Sequence, residues 1–244
     1  MEDTFTEFCE QVNPDLLKEI LKKSRQARFK SANRIQTSFL SSLEKRGLLW
    51  LAERLPQWIN SDHLTLLGFA GQILAGASYI LAAQNHLWLI AGIGFLAVNW
   101  FGDSLDGTLA RVRHRERPRY GFYVDHMIDS FGALSIMGGL ALSGYMDPHI
   151  AFGLLIGFLL LSIQSYLAAY ALGEFRLSFW NFGPTELRVL LAAGNLAALR
   201  WPRVLPAHYR LFDIGGVFGL IGMAVMVVCF TACNTWRLYH EELL

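Results

Sequence analysis

The chain has 244 residues, of which 53% are hydrophobic and only 17% charged, and its formal net charge is +1. Soluble domains carry nearer a quarter charged residues, and the apolar residues here are gathered in long runs. The composition therefore excludes a disordered chain and disfavours an ordinary soluble enzyme. The near-neutral charge gives no case for nucleic acid as a partner, and three scattered cysteines (Cys9, Cys229 and Cys233) are too few for a disulfide framework.

The first 60 residues contain no apolar run long enough to cross a membrane. Two amphipathic helices are predicted in this region. One begins at Asn13, where Pro14 and Asp15 suit a first turn, and the other runs from Leu43 to Leu55. Lysines and arginines flank both apolar stripes, and anionic lipid attracts such residues. We expect residues 1–60 to lie on the inner membrane surface; the alternative is a small soluble cap that packs on itself or on a partner chain.

Six later segments approach the roughly 20 apolar residues that a bilayer core about 30 Å thick requires. They cover about 64–83, 87–113, 122–145, 150–172, 185–201 and 214–233, and the fifth is the shortest. The sequence therefore predicts an all-α integral membrane protein with six transmembrane helices preceded by amphipathic surface helices. The membrane domain is predicted over residues 61–237, with a cytoplasmic tail over 238–244.

Lysine and arginine placement predicts the orientation of these spans, because cytoplasmic loops retain positive charge. With both termini in the cytoplasm, 18 lysines and arginines fall on the inner side and 3 on the outer side. We therefore expect a protein of the inner or plasma membrane whose polar loop over residues 111–119 faces the cytoplasm.

Four aspartates interrupt the second and third predicted spans. Asp103 and Asp106 are three residues apart and Asp125 and Asp129 four apart, so each pair projects from one face of a helix. A hairpin between the two helices can bring the four together. An ionised aspartate at membrane depth costs about 2.5–3.5 kcal/mol, so this charge must be compensated. Carboxylate-only clusters suit hard divalent ions such as Mg²⁺ better than zinc, and two ions held by four aspartates would clamp a diphosphate.

Small and cationic residues follow the second aspartate. Gly107 and Ala110 leave space on the helix surface for a ligand to approach the backbone. Arg111 follows at once, and a guanidinium is a rigid bidentate donor suited to phosphate. This order of residue types indicates a site for a phosphorylated ligand.

The whole pattern matches a family signature, D-x2-D-G-x2-A-R-x8–9-G-x3-D-x3-D. Its positions are filled by Asp103, Asp106, Gly107, Ala110, Arg111, Gly121, Asp125 and Asp129. In these residues the chain resembles the CDP-alcohol phosphatidyltransferase family. The resemblance implies a homodimer with an active site open to the cytoplasmic face. It also implies a phospholipid-synthesising enzyme that transfers a substituted phosphate from a CDP-linked donor to an alcohol hydroxyl and releases CMP.

The resemblance further implies roles for individual residues. The four aspartates would bind two Mg²⁺ or Mn²⁺ ions, and Asp129 would be the general base for the acceptor hydroxyl, with His126 as the rival base. The CDP moiety would be bound by Asp103, Asp106, Gly107, Ala110, Arg111 and Gly121. A family-like entry to the first span adds Asp62 and Thr65, although serine and aspartate stand where the family usually has proline and asparagine. Glu186 and Arg188 are either site residues or an interfacial ion pair.

Several functions stay open at this point. A phosphatidyl group donated by CDP-diacylglycerol to a small polar alcohol is favoured. The alternative within the family is a CDP-aminoalcohol that donates to diacylglycerol, for which aromatic residues in the loop over residues 173–184 offer a cation cage. An alternative of another class is a divalent-cation transporter or binding membrane protein. A transporter would be expected to have polar positions through both halves of the span, whereas here they cluster on the cytoplasmic half.

Overall fold

The computed structural model of the chain describes residues 33–35, 41–176, 183–201 and 210–242. Its helices are α1 (Ser41–Arg54), α2 (Ser61–Ala82), α3 (Trp88–Val112), α4 (Pro118–Ser143), α5 (Pro148–Ala171), α6 (Pro184–Arg200) and α7 (Leu211–Glu241). A parallel pair of three-residue strands, β1 (Asn33–Ile35) and β2 (Glu174–Arg176), joins the segment before α1 to the segment after α5. The predicted helical fold is confirmed apart from this pair. The predicted helix that begins at Asn13 and the aromatic residues of 177–182 lie outside the described residues.

Four of the described helices, α2, α3, α5 and α7, are long and apolar enough to cross a membrane. They match the first, second, fourth and sixth predicted spans. The third and fifth predicted spans form α4 and α6, which are helical but fall outside that set. Helix α4 carries Asp125 and Asp129, and α6 has only 17 residues. The structure therefore agrees with an integral membrane protein, while the count of six spans is not confirmed.

Local residue chemistry defines several helix ends. Helices α4, α5 and α6 all have proline at the start, where its missing N–H costs nothing. Asp147 caps α5 by accepting a hydrogen bond from the backbone N–H of His149 at 2.8 Å. This bond and the nearby imidazole hold the pKa of Asp147 below its usual value. Helix α4 ends at Gly144, which adopts the left-handed conformation (φ 76°) that favours glycine.

Helix α2 lies at the centre of the bundle, between α3 and α4. Helix α4 also packs against α5, α5 packs against α7, and α6 packs against α3. Helix α1 lies against α3, where Leu48 and Ala52 join Leu64, Leu105 and Leu109 in a small apolar cluster. This arrangement brings the start of α2, the last turns of α3 and the start of α6 together. The polar residues of these three helices lie there.

Glycines allow α2 to approach both of its neighbours closely. A Cβ atom on Gly71 would lie 2.7 Å from the backbone nitrogen of Asn99, and one on Gly102 would lie 2.5 Å from the backbone nitrogen of Gly68. On the other side, a Cβ on Gly139 would lie 2.2 Å from the carbonyl oxygen of Gly76. The obstructing atoms belong to the backbone, so no side-chain rotation relieves the clash. Gly139 of α4 therefore packs against Gly76 of α2 in the same chain.

We predict that Gly102→Ala destabilises the protein, because its new methyl group would overlap the α2 backbone. Overpacking of this kind costs about 1–3 kcal/mol or more. Gly94→Ala on the same helix is the matched control, since a Cβ there meets nothing within 4 Å and alanine is the better helix former. Thermal unfolding of both variants in detergent checks this. Equal melting temperatures for the two would contradict the close-packing account.

Candidate active site

The four signature aspartates lie on the facing ends of one helical hairpin. Asp103 and Asp106 occupy the last turns of α3, and Asp125 and Asp129 lie near the start of α4. The turn between the helices contains His114 in the left-handed conformation (φ 51°). The hairpin predicted from the spacing is therefore present.

Asp106 is held by the first turns of α2. The Thr65 hydroxyl donates to Asp106 Oδ2 at 2.6 Å, and the Ser61 hydroxyl donates to the Asp106 carbonyl oxygen at 3.1 Å. The backbone N–H of Gly107 donates to the other carboxylate oxygen. The Thr65 and Gly107 bonds hold the two carboxylate oxygens, and the Ser61 bond holds the backbone of the same residue. Thr65 therefore lies beside the signature.

Asp103 belongs to a chain of polar contacts that links three helices. Arg188 of α6 donates from Nη2 to Asp103 Oδ2 at 2.6 Å and from Nε to Asn99 Oδ1 at 2.6 Å. The Asn99 amide in turn donates to the Gly68 carbonyl oxygen at 2.9 Å. The Arg188 side chain is only 12% exposed, which makes the pair a partly desolvated, charge-assisted contact. Arg188 is therefore joined directly to the aspartate cluster.

Glu186, the other candidate before the fifth predicted span, also has a defined position. Its Oε2 accepts a hydrogen bond from the backbone N–H of Gly183 at 3.0 Å, which caps the start of α6. Arg188 lies two residues further along the same helix. The cap fixes the helix start from which Arg188 reaches α3.

Asp129 lies within electrostatic reach of several groups from other helices. Asp103, Asp125 and Arg188 all act on its carboxylate, and the side-chain amide of Gln72 is close enough to act on it as well. The charges of Asp125 and Asp129 also act on the hydroxyl group of Tyr166 in α5. The aspartates of the two helices thus share one electrostatic environment.

His126, the rival base, lies in an aromatic setting. Its Nδ1 is 2.5 Å from the Phe122 carbonyl oxygen. Its ring packs against Phe122 at a centroid distance of 4.3 Å and edge-on against Tyr166 at 5.1 Å. These contacts orient the imidazole through α4 and α5.

The remaining predicted CDP-binding residues lie along the C-terminal end of α3 and near the start of α4. Arg111 is exposed and donates to the Thr108 hydroxyl at 3.1 Å, and its guanidinium lies 3.5 Å from where a Gly107 Cβ would be. Gly121 is exposed, with nothing within 4 Å of a Cβ placed there.

A cavity of about 400 Å³ adjoins this end of the signature. Two of the predicted CDP-binding residues, Asp62 and Ala110, line it. The other lining residues are Asn60, Ser61, Leu109, Arg113, Arg115, Glu116 and Arg117. Arg117 forms an ion pair with Asp62, and both side chains are about half exposed. Two of the predicted CDP-binding residues thus line one open, mixed-charge cavity.

Arg113 joins the α3 end to the segment that connects α1 with α2. Its guanidinium donates to the carbonyl oxygens of Ile59 at 2.5 Å, Leu55 at 2.9 Å and Pro56 at 3.0 Å. Three neutral acceptors commit this arginine to a structural contact.

The donor set suits a hard divalent cation, since four carboxylates converge on one hairpin and act on one another. Within the described ranges, no three His, Cys, Asp or Glu side chains yet stand close enough together to hold a metal ion. Asp103 is hydrogen-bonded to Arg188 and Asp106 to Thr65. The chemistry of the residues fits Mg²⁺ or Mn²⁺, and binding would require these side chains to reorient.

Comparison with known proteins agrees with this site. The family model described as CDP-alcohol phosphatidyltransferase matches residues 58–232. The chain belongs to this family. An archaetidylinositol phosphate synthase of Methanothermobacter thermautotrophicus is 32% identical over 173 residues, which cover 68% of this chain and 82% of that protein. The enzyme of the same name from Pyrococcus horikoshii is 37% identical over 113 residues, 46% of this chain and about half (53%) of that protein.

Family membership confirms the predicted class of protein, a membrane-bound phosphotransferase of phospholipid biosynthesis. The family generally uses divalent metals. The matched range, residues 58–232, includes the signature and all of α2 to α6. Helix α1 precedes it.

Three polar residues of the site were missed by the sequence interpretation: Gln72, Asn99 and Tyr166. Gln72 and Asn99 are buried polar residues within otherwise apolar runs, and such residues are functional candidates by default. That signal was available for both. Tyr166 gave no comparable signal, because tyrosine is common near membrane surfaces.

We predict that Thr65→Val lowers turnover about 10- to 100-fold, the usual range for partners that orient ligand side chains. Valine keeps the shape of threonine but removes the hydroxyl that holds Asp106. Ser78→Ala is the matched control, since the buried Ser78 hydroxyl donates to the Leu74 carbonyl oxygen of its own helix at 2.8 Å. Turnover of both purified variants checks this. Wild-type turnover in Thr65→Val would contradict a role for the contact.

Proposed function

We propose that the protein transfers a phosphatidyl-type group from a CDP-linked lipid to the hydroxyl of a polar alcohol and releases CMP. The observation that carries this proposal is the complete signature hairpin, whose aspartates are joined to α2 through Thr65 and to α6 through Arg188. The catalytic domain is taken as residues 61–237, with residues 1–60 and 238–244 as cytoplasmic flanks.

The relatives' names favour a lipid donor. Both are archaetidylinositol phosphate synthases, and such a name describes a lipid group joined to inositol phosphate. We propose by extension that this chain uses CDP-diacylglycerol or a similar CDP-lipid, and that its acceptor is a phosphorylated polyol. The arginines at the site support an anionic acceptor: Arg188 is mostly buried beside Asp103, and Arg111 is exposed at the α3 end.

In the proposed site Asp103, Asp106, Asp125 and Asp129 hold two divalent ions, Mg²⁺ or Mn²⁺. When bound, such ions neutralise a diphosphate and stabilise charge on the attacking and leaving oxygens. The CDP moiety contacts Asp103, Asp106, Gly107, Ala110, Arg111 and Gly121, with Asp62 and Thr65 at the start of α2.

The chain's own residues carry the proton transfer. Asp129 takes the proton from the acceptor hydroxyl, whose oxygen attacks the β-phosphorus as the bond to CMP breaks. Asp129 is favoured over His126 because the aspartate lies near Asp103, Asp125 and Arg188, whereas the imidazole is packed between two aromatic rings.

We further propose that α4 and α6 complete six spans with both termini and the active site in the cytoplasm. Helix α1 then lies at the inner surface, where Trp50 and Trp58 are exposed and Arg54 stacks on Trp50 at 4.1 Å. Exposed tryptophans beside arginine are typical of a membrane interface. The protein is proposed to act as a homodimer, which cross-linking in native membranes can test.

CMP release tests the function directly. We expect purified protein to release CMP from CDP-diacylglycerol with inositol phosphate in Mg²⁺ or Mn²⁺, less with unphosphorylated inositol, and none after EDTA. The EDTA effect should reverse when the metal is restored. Full activity in metal-free buffer would contradict the two-metal site. CMP release from CDP-choline with diacylglycerol, and none from CDP-diacylglycerol with any alcohol tested, would reverse the donor assignment.

Replacement of the base distinguishes Asp129 from His126. Asp129→Asn keeps the shape of the side chain but removes a proton acceptor, so we expect turnover to fall below detection while the melting temperature stays close to wild type. His126→Ala should retain measurable turnover. If Asp129→Asn kept near-normal turnover and His126→Ala lost it, the imidazole would be the base.

Cysteine labelling tests the orientation. In a variant without the native cysteines, Glu116→Cys in the α3–α4 turn should resist an impermeant thiol reagent applied to intact cells. Asn85→Cys in the α2–α3 turn should react, because α3 separates the two exposed turns. Outer labelling at residue 116 would contradict a cytoplasmic active site.

A further inference from the structure

Gln72 is a buried polar residue in the middle of α2. Only 7% of its surface is exposed, and its chain neighbours are Gly71 and Ile73. Its side-chain amide lies against α4 at Gly132, one turn from Asp129 and close enough to act on that carboxylate. Its Oε1 atom is buried without a hydrogen-bond partner among the described residues. Buried amides are normally satisfied, so a glutamine kept here in an apolar helix calls for a specific role.

Gly132 of α4 makes room for this amide. A Cβ atom on Gly132 would lie 1.9 Å from Gln72 Oε1 and 2.7 Å from Nε2. Gly132 is three residues after Asp129, so the two face the same side of α4. Any larger residue at position 132 would displace the amide from the place where it meets the carboxylate.

We propose that Gln72 is a positioning residue for Asp129 and that Gly132 is the notch that admits it. This inference rests on the proposed role of Asp129. An amide N–H fixes the rotation of the carboxylate by engaging one oxygen, and it leaves the other free to meet the acceptor hydroxyl. Because the amide is neutral, it orients the carboxylate without cancelling the negative charge that a base and metal ligand requires.

Four features of the chain support a role in orientation. The donor and the carboxylate come from different helices, so the contact fixes α2 against α4. The side chain is buried, so water does not replace the bond. The notch is specific, because Gly138 on the same helix has nothing within 4 Å of a Cβ. The close approach of Gly76 to Gly139 holds the same two helices together.

A set of four variants tests the inference. Gln72→Met keeps a side chain of similar length without the amide, and Gln72→Ala removes the amide altogether. Gly132→Ala displaces the amide, and the double variant Gln72→Ala with Gly132→Ala fills the space that the amide leaves. Gly138→Ala is the matched control on α4. Turnover, the KM for the CDP-lipid donor and the melting temperature are measured for each.

We expect Gln72→Met and Gln72→Ala to lower kcat about 10- to 100-fold with little change in the KM for the donor. Gly132→Ala should show the same loss, and the double variant should be no worse than Gln72→Ala alone, because both changes remove one contact. Gly138→Ala should behave as wild type. The double variant lacks the steric clash, so the comparison survives even if Gly132→Ala alone fails to fold.

Two results would overturn the inference: near-normal kcat in Gln72→Met, or losses in Gln72→Ala and Gly132→Ala that multiply in the double variant. Asp129→Asn, measured alongside, separates these results from a failure of the proposed function. If Asp129→Asn is inactive and Gln72→Met is active, only the positioning role is wrong. If Asp129→Asn is active, the assignment of the base is wrong.

Discussion

The negative charge of four aspartates within apolar helices is the constraint on which the rest of the structure depends. Two arginines act on the cluster, Arg188 through its contact with Asp103 and Arg111 through its charge near Asp106. They compensate only part of the charge of four ionised carboxylates. In the proposed function, two divalent cations and an anionic diphosphate would complete the balance, because the cations would satisfy the carboxylates and the diphosphate would be drawn to the cations and the arginines. Charge balance thus links the helical hairpin to phosphoryl-group transfer.

Helix α2 converts this constraint into a defined site. Its glycines let α3 and α4 approach to backbone contact, and its polar residues then reach both aspartate pairs. Thr65 holds Asp106 of α3 through a hydrogen bond, and the amide of Gln72 lies beside Asp129 of α4. The same helix supplies the packing that keeps two acidic helix faces adjacent and the hydrogen bonds that orient them. A substitution on α2 can therefore affect catalysis without touching a signature residue.

The sequence predicted the elements that carry the site better than the contacts between them. Spacing alone identified the aspartate hairpin, and hydropathy located both ends of α2, α3 and α5 and the start of α7 to within about three residues. Helix α7 continues to Glu241, beyond residue 233 where the predicted span ends. Helices α4 and α6 were harder to assign as spans, because the charged residues that serve the site make α4 less apolar and α6 is short. Arg188 was left undecided, since its partner Asp103 is 85 residues away in the chain. The contact of Gln72 depends on the rotation of α2 about its axis, which apolar periodicity does not define in a helix buried between two others.

Equilibrium binding of Mn²⁺, followed by electron paramagnetic resonance on the purified protein, tests the central claim most directly. The account predicts two ions per chain in the presence of a CDP-lipid and weaker or lost binding when Asp103 or Asp129 is replaced by asparagine. Asp213→Asn is the matched control, because that carboxylate accepts a hydrogen bond from the backbone of Asp147 at the start of α5. Binding that is absent from the wild type, or that persists when all four signature aspartates are replaced, would contradict the account.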